Sequence, residues 1–221
     1  MPGEAEAMMN PHLGFFIDIE GLDGSGASTQ VEKVVAWFGK ETDKKILRTK
    51  EPTDNVIGGL IRGALTRSVN IPMDALQLLF AADRAHHLES EIVPVLKHGG
   101  IVVTDRYIPS TVAFGSLDVE KEWLLGLNER FLLPDLTIFI RVDPAECVRR
   151  MQKSRIRLEL FEDVEKLRGV WRGYEWVAKQ MANVIILNGE RPVEEVFHEI
   201  RSLIEKHPKY KKGISANEKN T

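Results

Sequence analysis

Cysteine is nearly absent from this chain of 221 residues, which contains only Cys147. A single cysteine excludes an internal disulfide and is typical of proteins in a reducing compartment. Long apolar runs are also missing, since none approaches the ~20 residues that span a bilayer. Residues 1–12 lack the basic and apolar regions of a signal peptide. We therefore expect a cytoplasmic protein with no membrane partner.

The chain also lacks an excess of positive charge. Its 30 Lys and Arg residues are balanced by 33 Asp and Glu residues, which gives a net charge of −3. Because nucleic-acid-binding proteins usually present a strongly basic surface, we expect no nucleic-acid partner. The basic residues near the C-terminus are the local exception, and we interpret 207–221 as a flexible, solvated tail.

The sequence does contain a regular alternation of five apolar, β-rich runs with helical patterns. The runs cover residues 15–19, 45–49, 101–104, 136–142 and 184–187. This alternation predicts βα units on one parallel sheet. The longest helical pattern covers 73–97, and we expect Pro94 to kink or divide it. Because we find no linker or internal repeat, we predict one domain over 14–206, preceded by a flexible segment at 1–13.

Charged, polar and glycine residues cluster directly after the five runs. They occupy positions 20–28, 51–52, 105–106, 143 and 188–191. In open parallel sheets, ligands bind outside the carboxyl ends of the strands. This edge of the sheet is therefore the predicted binding site.

The segment after the first run matches a phosphate-binding loop. It consists of Gly21, Leu22, Asp23, Gly24, Ser25, Gly26, Ala27, Ser28 and Thr29. The pattern G-x-x-x-x-G-K-[ST] is complete except at Ala27, where lysine is usual. Glycines let backbone N–H groups face phosphates, and the N-terminus of the following helix adds positive potential. We expect ATP to bind here, with Ser28 as a ligand of the Mg²⁺ that bridges its phosphates.

Ala27 removes the positive charge that lysine places beside the β and γ phosphates during transfer. We expect nucleotide binding to survive in part, because the backbone of the loop remains, whereas the chemistry suffers more. Either the alanine was introduced deliberately, or it is a natural variant whose charge is supplied elsewhere or whose activity is lost. The sequence favours none of these alternatives.

Several segments resemble motifs of the thymidylate kinase family. They are residues 16–26, 28–30, 51–53, 59–62, 78–85, 104–107 and 188–196. The similarity runs from about residue 14 to 204, with the motifs in order. It implies a three-layer P-loop NTPase fold, with a parallel five-stranded sheet covered by helices on both faces. It also implies transfer of the ATP γ-phosphoryl group to dTMP, giving dTDP and ADP, and a homodimer.

Some residues in these segments can also be interpreted from their spacing. Phe80 and Arg84 are four residues apart, so one helix face presents an aromatic plane and a fork of donors, which suits a nucleobase. The alternative is a core role for Phe80 and a surface ion pair for Arg84. Arg106 follows the third strand, where a guanidinium can clamp a monophosphate, and Asp105 can support the magnesium shell.

The resemblance also implies roles for matching residues. Arg84 and Arg106 bind the acceptor nucleotide, and Phe80 stacks on thymine. Asp23 lies near the deoxyribose 3′-hydroxyl, and Glu51 lines the site near the transferred phosphoryl group. Further predicted contacts are Pro52, Arg62, Tyr107, Ser110 and Thr111 for the acceptor and Arg191 for ATP.

Two of these assignments keep a structural alternative. Arg62 matches a family arginine near the acceptor phosphate, but a role on the helix surface is also open. Tyr107 is either a wall of the pocket or a core residue.

The chain departs from the family at two places. Gly115 stands where many members have a polar side chain near the base. Residues 159–162 lack an arginine that many members carry in the lid, which we expect at about 149–162. With Asp23 and Arg106, we predict Arg155 and Arg157 as catalytic residues, because a closing cationic segment stabilises the transition state. Arg149 and Arg150 are interpreted as a solvated helix face.

Two rival functions follow from these departures. Ala27 and the missing lid arginine favour a nucleotide-binding protein with little kinase activity. Gly115 favours a kinase for another nucleoside monophosphate.

Overall fold

The computed structural model describes residues 9–154 and 163–213. Its sheet has the strands β1 (Phe15–Gly21), β2 (Ile46–Lys50), β3 (Ile101–Asp105), β4 (Leu136–Arg141) and β5 (Val184–Asn188). All neighbouring strands are parallel, in the order β2-β3-β1-β4-β5. The predicted five-stranded parallel sheet is confirmed. Because β1 is central, the segment that follows it lies in the middle of the carboxyl edge.

Helices cover the sheet. They are α1 (Ala27–Glu41), α2 (Val56–Leu65), α3 (Met73–His87), α4 (Val93–Lys97), α5 (Ile108–Gly115), α6 (Lys121–Asn128), α7 (Pro144–Ser154), α8 (Val164–Ala178), α9 (Val193–Lys206) and α10 (Pro208–Gly213). Both α1 and α5 contact β1, α1 packs on α9, and α5 packs on α8. Every residue of β1 is buried, which is expected for a strand with both faces covered. The three-layer arrangement agrees with the predicted fold class.

The long third helix is helical throughout but changes its pitch earlier than predicted. After α3 ends at His87, residues Leu88–Ile92 form a π-helical turn, and α4 follows from Val93. The N–H of Val93 donates to the carbonyl of Leu88, five residues back. Pro94 has no N–H to donate, so the wider turn lies directly before it.

Helices α2 and α3 form a small unit beside the main core. Their shared hydrophobic cluster is centred on Ile61, Ala64 and Leu76. Leu65, Met73 and Phe80 are partly buried against it. This unit therefore supplies one wall of the cleft at the carboxyl edge of the sheet.

The C-terminal residues pack on the domain, which corrects the prediction of a solvated tail from residue 207. Tyr210 of α10 is buried against Trp37, with their rings 5.9 Å apart. Lys209 Nζ lies 2.8 Å from Asp135 Oδ1 and donates to the carbonyl of Asn10. The basic composition of this segment gave no sign that Tyr210 is buried or that Lys209 forms an ion pair with the domain. Positions 214–221 of the predicted tail lie outside the described residues.

The N-terminal segment also contacts the folded domain from residue 9 onward. Met9 pairs with Leu133 in an isolated parallel bridge. Asn10 is buried, and its side chain donates to Asp135 Oδ2 at 2.7 Å. Residues 9–13 are therefore attached to the domain, in contrast to the flexible segment predicted there.

Within the part of the chain that the structure describes, no helix combines the length and the apolar character needed to cross a membrane.

Candidate active site

The predicted phosphate loop connects the central strand β1 to helix α1 at the carboxyl edge of the sheet. It starts where β1 ends at Gly21, and α1 begins at Ala27. Gly24 has a φ of 81°, and a Cβ there would lie 2.6 Å from the carbonyl oxygen of Cys147. Only glycine combines that backbone conformation with so close an approach to α7. The loop is thus held in place by main-chain packing.

In the described structure, the N-cap residue of α1 makes no side-chain hydrogen bond to the first turn, in which the N–H of Ala27 donates to Ser25 Oγ at 3.4 Å. The N-cap residue is Gly26, which has a φ of 92°. Ala27 is buried, whereas Ser28 and Thr29 are exposed. Uncapped N–H groups of a first helical turn attract anions. The backbone therefore offers partial positive charge to a phosphate, while Ala27 offers no full charge.

Arg150 of α7 contacts the phosphate loop directly. Its Nη1 donates to the carbonyl of Ser25 at 3.4 Å, and its Nη2 donates to the carbonyl of Gly189 at 3.4 Å. Its Nε is bonded to Glu146 Oε1 at 2.8 Å. The guanidinium therefore bridges the phosphate loop and the loop after β5. The interpretation of Arg150 as a solvated side chain is wrong in this respect.

Arg149, the neighbour of Arg150, behaves as the sequence predicted. It is paired with Glu146 at 2.6 Å and its side chain is 53% exposed. The i, i+4 spacing of Arg150 from Glu146 was the available signal for a fixed guanidinium. That spacing gave no indication of which loop the guanidinium contacts.

Arg106 joins the phosphate loop to the neighbouring pocket. Its Nη2 lies 2.6 Å from Asp23 Oδ1, and its Nη1 donates to Ser110 Oγ at 3.1 Å. Its guanidinium also lies over the ring of Phe114, 4.8 Å from the centroid. Burial opposes the charged form, but Asp23 and Tyr174 raise the pKa of Arg106 above its ordinary value. A fixed cation therefore stands between the two predicted subsites.

Glu20 anchors this junction from the last part of β1. It accepts hydrogen bonds from the N–H groups of Tyr107 and Ser110 at 2.8 and 3.1 Å, and from the hydroxyl of Tyr174 at 2.9 Å. Burial raises the pKa of Glu20, while Arg106 partly offsets that rise. Sequence analysis placed Glu20 at the predicted binding edge without giving it a role, and it missed Tyr174. A carboxylate inside an otherwise apolar strand was the signal for the first, and none marked the second.

Asp18, two residues before Glu20, is a second buried acid, and sequence analysis missed it. Its side chain is fully buried, and neither carboxylate oxygen has a hydrogen-bond partner among the described residues. Burial raises the pKa of Asp18 well above its usual range, and the charges of Glu20 and Glu51 add to the rise. We therefore expect the carboxyl group to be neutral over a wide pH range.

The acceptor pocket is the cleft between α3, α5 and the end of β3. Every predicted acceptor residue except Arg62 lines it: Asp23, Glu51, Pro52, Phe80, Arg84, Arg106, Tyr107, Ser110 and Thr111. Gln77, Phe114 and Gly115 also line it. The structure thus brings together residues from five separate segments of the sequence. Their contacts with a nucleotide stay a prediction.

Arg84 lies in the wall of the acceptor pocket, with its donors already engaged. Its side chain is fully buried, and its Nη2 and Nε bond Glu51 Oε2 at 2.6 and 2.9 Å. Nη2 also donates to Thr111 Oγ1 at 2.9 Å. The guanidinium lies over the ring of Tyr107, 4.8 Å from the centroid. The predicted fork of donors is thus held in a buried ion pair in the pocket wall and not in the surface ion pair of the alternative, and its contact with a nucleobase stays a prediction.

Arg62 lies beside the pocket without lining it. Its Nη1 donates to the carbonyls of Thr53 and Pro52 and lies 3.4 Å from Asp54 Oδ1. These contacts fix the loop after β2, because three acceptors surround one guanidinium. The structural alternative for Arg62 agrees with this geometry, and its approach to an acceptor phosphate stays a prediction.

The proposed magnesium ligands are oxygen atoms at the carboxyl edge. Ser28 is exposed on the first turn of α1, and Asp105 ends β3 next to Ile19 of β1. The carboxylate of Asp105 forms no ion pair in the described ranges, which hold no group of three His, Cys, Asp or Glu for a closed metal site. A hydroxyl and a carboxylate suit Mg²⁺, which keeps few protein ligands and binds phosphates and water.

Of the three remaining predicted residues, the structure describes Arg191 but not Arg155 and Arg157. Arg191 lies in the loop after β5, where its Nε donates to the carbonyl of Asn188 at 3.3 Å and its Nη2 bonds Glu199. Arg155 and Arg157 lie outside the described residues, as do positions 159–162 of the expected lid.

Comparisons with known proteins identify the family of this chain. The sequence model of the thymidylate kinase family matches residues 19–200. A probable thymidylate kinase of Thermococcus gammatolerans is 35% identical over 202 residues, covering 87% of this chain and 97% of the relative. Probable thymidylate kinases of Pyrobaculum calidifontis and Pyrococcus abyssi are 39% and 36% identical, each over 86% of this chain and 96% of the relative. The predicted family is confirmed: the chain belongs to the thymidylate kinase family.

Proposed function

We propose that this protein transfers the γ-phosphoryl group of ATP to dTMP, giving dTDP and ADP. The observation that carries the proposal is the position of Arg106. It is bonded to Asp23 of the phosphate loop and lines the acceptor pocket. A fixed guanidinium between donor and acceptor can align the two phosphates and stabilise the charge that develops between them.

The acceptor side of the reaction needs positioning more than covalent help. Phe80 supplies the aromatic plane for the base, and the buried Arg84–Glu51 pair supports the wall behind it. Asp23 and Arg106 face the sugar and the monophosphate. Thr111 and Ser110 on α5 are held by Arg84 and Glu20, so the pocket is largely preorganised.

The donor side binds ATP through the backbone of the phosphate loop and the N-terminus of α1. Ser28 and Asp105 would hold a Mg²⁺ ion, which neutralises charge on the β and γ phosphates when it is bound. Arg191 serves the adenine side. In place of the missing lysine, Arg150 contributes positive charge from α7, and Arg155 and Arg157 act as further catalytic cations by resemblance to the family.

We also propose a cytoplasmic homodimer. The family resemblance suggests pairing through helices beside the sheet. Leu60 on α2 and Leu78 on α3 are large apolar side chains that are 41% and 51% exposed, so this surface has apolar area to bury. Analytical ultracentrifugation measures the assembly, and a monomer at micromolar concentration would contradict the dimer.

A coupled ADP-release assay across dTMP, dUMP, dCMP, AMP and GMP tests the function. We expect the largest kcat/KM with dTMP. A purine monophosphate as the best acceptor would overturn the assignment and favour a kinase for another nucleotide. Calorimetric binding of ATP and dTMP without any ADP release would favour the nucleotide-binding protein that Ala27 suggests.

A further inference from the structure

Gly115 leaves space in the acceptor pocket, and a residue from another helix occupies it. A Cβ at Gly115 would lie 3.0 Å from both Cδ and Oε1 of Gln77, and 2.9 Å from Cδ1 of Leu124. Gln77 and Gly115 both line the pocket. Any side chain at position 115 would therefore push against the carboxamide of Gln77. The glycine at position 115 of α5 thus makes room for the carboxamide of Gln77 on α3.

The carboxamide of Gln77 is buried and incompletely bonded. Its residue is 3% exposed, and Oε1 has no hydrogen-bond partner among the residues that the structure describes. Buried polar atoms are nearly always bonded, so an unpartnered oxygen in a pocket wall is a position where a ligand donor restores the bond.

The position of Gln77 along α3 directs it to the base. It precedes Phe80 by three residues and Arg84 by seven, so all three lie on one helix face. All three also line the pocket. If Phe80 stacks on the base, a group one turn away along the same face meets the edge of the ring.

We propose that Gln77 determines the base specificity of the acceptor site, by accepting a hydrogen bond at Oε1 from the N3–H group of a pyrimidine dione. The inference rests on the proposed function, because it assigns a residue to the base of that same acceptor. Thymine and uracil carry N3–H between two carbonyl groups, and a carboxamide can pair with such an edge through one acceptor and one donor. Cytosine has no N3–H to offer.

Binding of dTMP and of N3-methyl-dTMP tests the inference without requiring turnover. The methyl group removes the N3–H donor and leaves the sugar and the phosphate unchanged. We expect the unaltered chain to bind dTMP at least about tenfold more tightly, which is ~1.4 kcal/mol and within the range for one buried hydrogen bond. Equal affinities would overturn the inference.

The variant Gln77→Met completes the cycle, because it keeps the length of the side chain and removes its hydrogen-bonding atoms. We expect this variant to lose most of the preference for dTMP over N3-methyl-dTMP. Gln180→Leu, at an exposed glutamine of the same chain, is the matched control and should keep the preference. A Gln77→Met protein that retains the full preference would overturn the inference.

The two proposals fail in different ways. Turnover of dTMP together with an unchanged preference in Gln77→Met removes the role of Gln77 and leaves the kinase function. An N3-dependent preference that Gln77→Met abolishes, without any ADP release, removes the kinase function and leaves the role of Gln77.

Discussion

The acceptor pocket and the phosphate loop share one edge of the sheet but use charge in different ways. In the pocket, Arg84 is fully buried and bonded to Glu51 at 2.6 Å. At the loop, Arg150 is 32% exposed, and its contact with the carbonyl of Ser25 is 3.4 Å long. Apart from Arg106 at their junction, the pocket therefore holds a buried ion pair, whereas the loop relies on backbone N–H groups and on a partly exposed cation.

This difference indicates that Ala27 affects phosphate binding and phosphoryl transfer to different extents. A backbone cradle binds phosphate through N–H groups and does not need the side chain at position 27, so phosphate binding tolerates the change. Charge that builds up in a transition state is stabilised by fixed full charges, and the loop has lost one. We therefore expect a protein that binds both nucleotides better than it transfers between them.

Restoring the lysine gives the largest expected effect. Ala27→Lys should raise the phosphoryl-transfer rate by ~10²–10³, because removing one preorganised active-site donor typically costs ~2.7–4 kcal/mol. ATP affinity should change less. Single-turnover kinetics measure the rate, and Ala27→Met is the control for the added bulk without charge. Equal rates for the lysine and methionine variants would show that charge at this position is not what the loop lacks.

The same variant distinguishes where the present chain obtains its catalytic charge. In backgrounds carrying Arg155→Ala or Arg157→Ala, we expect the gain from Ala27→Lys to grow, because the lid can then no longer compensate. A small gain in the unaltered background, with activity lost when either lid arginine is removed, would mean that the charge has moved to the lid. Single-turnover rates in all backgrounds measure this.

Arg106→Ala should produce the next largest effect, now on the acceptor side. Charge-assisted hydrogen bonds contribute ~1.5–3 kcal/mol each, so dTMP affinity should fall by at least about tenfold. ATP affinity should fall less, since the backbone of the loop remains. Calorimetry with each nucleotide measures both. Arg48→Ala is the control, because that arginine is half-exposed, pairs with Glu32 and does not line the pocket. Equal weakening of ATP and dTMP by Arg106→Ala would show that the acceptor site is misplaced.

Asp18 tests whether a buried carboxyl group without hydrogen-bond partners among the described residues lowers the stability of the fold. Burial raises its pKa, so the folded chain keeps a proton that the unfolded chain releases above about pH 4. Unfolding then releases protons, and stability falls as the pH rises through this window up to the raised pKa. Asp18→Val should remove that fall and add ~1–3 kcal/mol, because no unpartnered polar group stays buried.

Urea unfolding at pH 5 and pH 8 measures the effect of Asp18. Asp18→Asn is the comparison variant, because it removes the titration but keeps an unpartnered polar group. It should lose the pH dependence of the unaltered chain and gain less stability than Asp18→Val. Identical pH dependence in all three proteins would show that Asp18 does not titrate differently in the folded state.

Arg150→Ala should give the smallest of these effects. Its side chain is partly exposed, so its contribution to ATP binding is ~1 kcal/mol, or about fivefold in affinity. Arg149→Ala is the matched control, since Arg149 shares the partner Glu146 but contacts neither loop in the described structure. Calorimetry with ATP compares the two. The same loss in both variants would remove the special role of Arg150.

Local patterns predicted the fold and the phosphate loop well. Alternating apolar runs located all five strands, and the glycine spacing located the turn between β1 and α1. Both features depend on neighbouring residues, which the sequence displays directly. Phe80, Arg84 and Arg106 were predicted from their positions along one helix face and after a strand, whereas the other acceptor residues were predicted from the resemblance to the family.

The missed features depend on contacts between residues far apart in the chain. Tyr174 reaches Glu20 across 154 positions, and Arg150 reaches the loop at Ser25 across 125. Composition misled at the C-terminus, where Tyr210 packs on Trp37 despite its basic neighbours. The proposed role of Gln77 follows from its contact with Gly115, which lies on another helix and is distant in the sequence.

The most direct test of phosphoryl transfer by this chain is a rapid-quench measurement with γ-labelled ATP, dTMP and an excess of the unaltered protein. We expect labelled dTDP to form in equal amount to ADP, at a rate below that of Ala27→Lys. Absence of labelled dTDP from both proteins, while each binds ATP and dTMP, would contradict the kinase function.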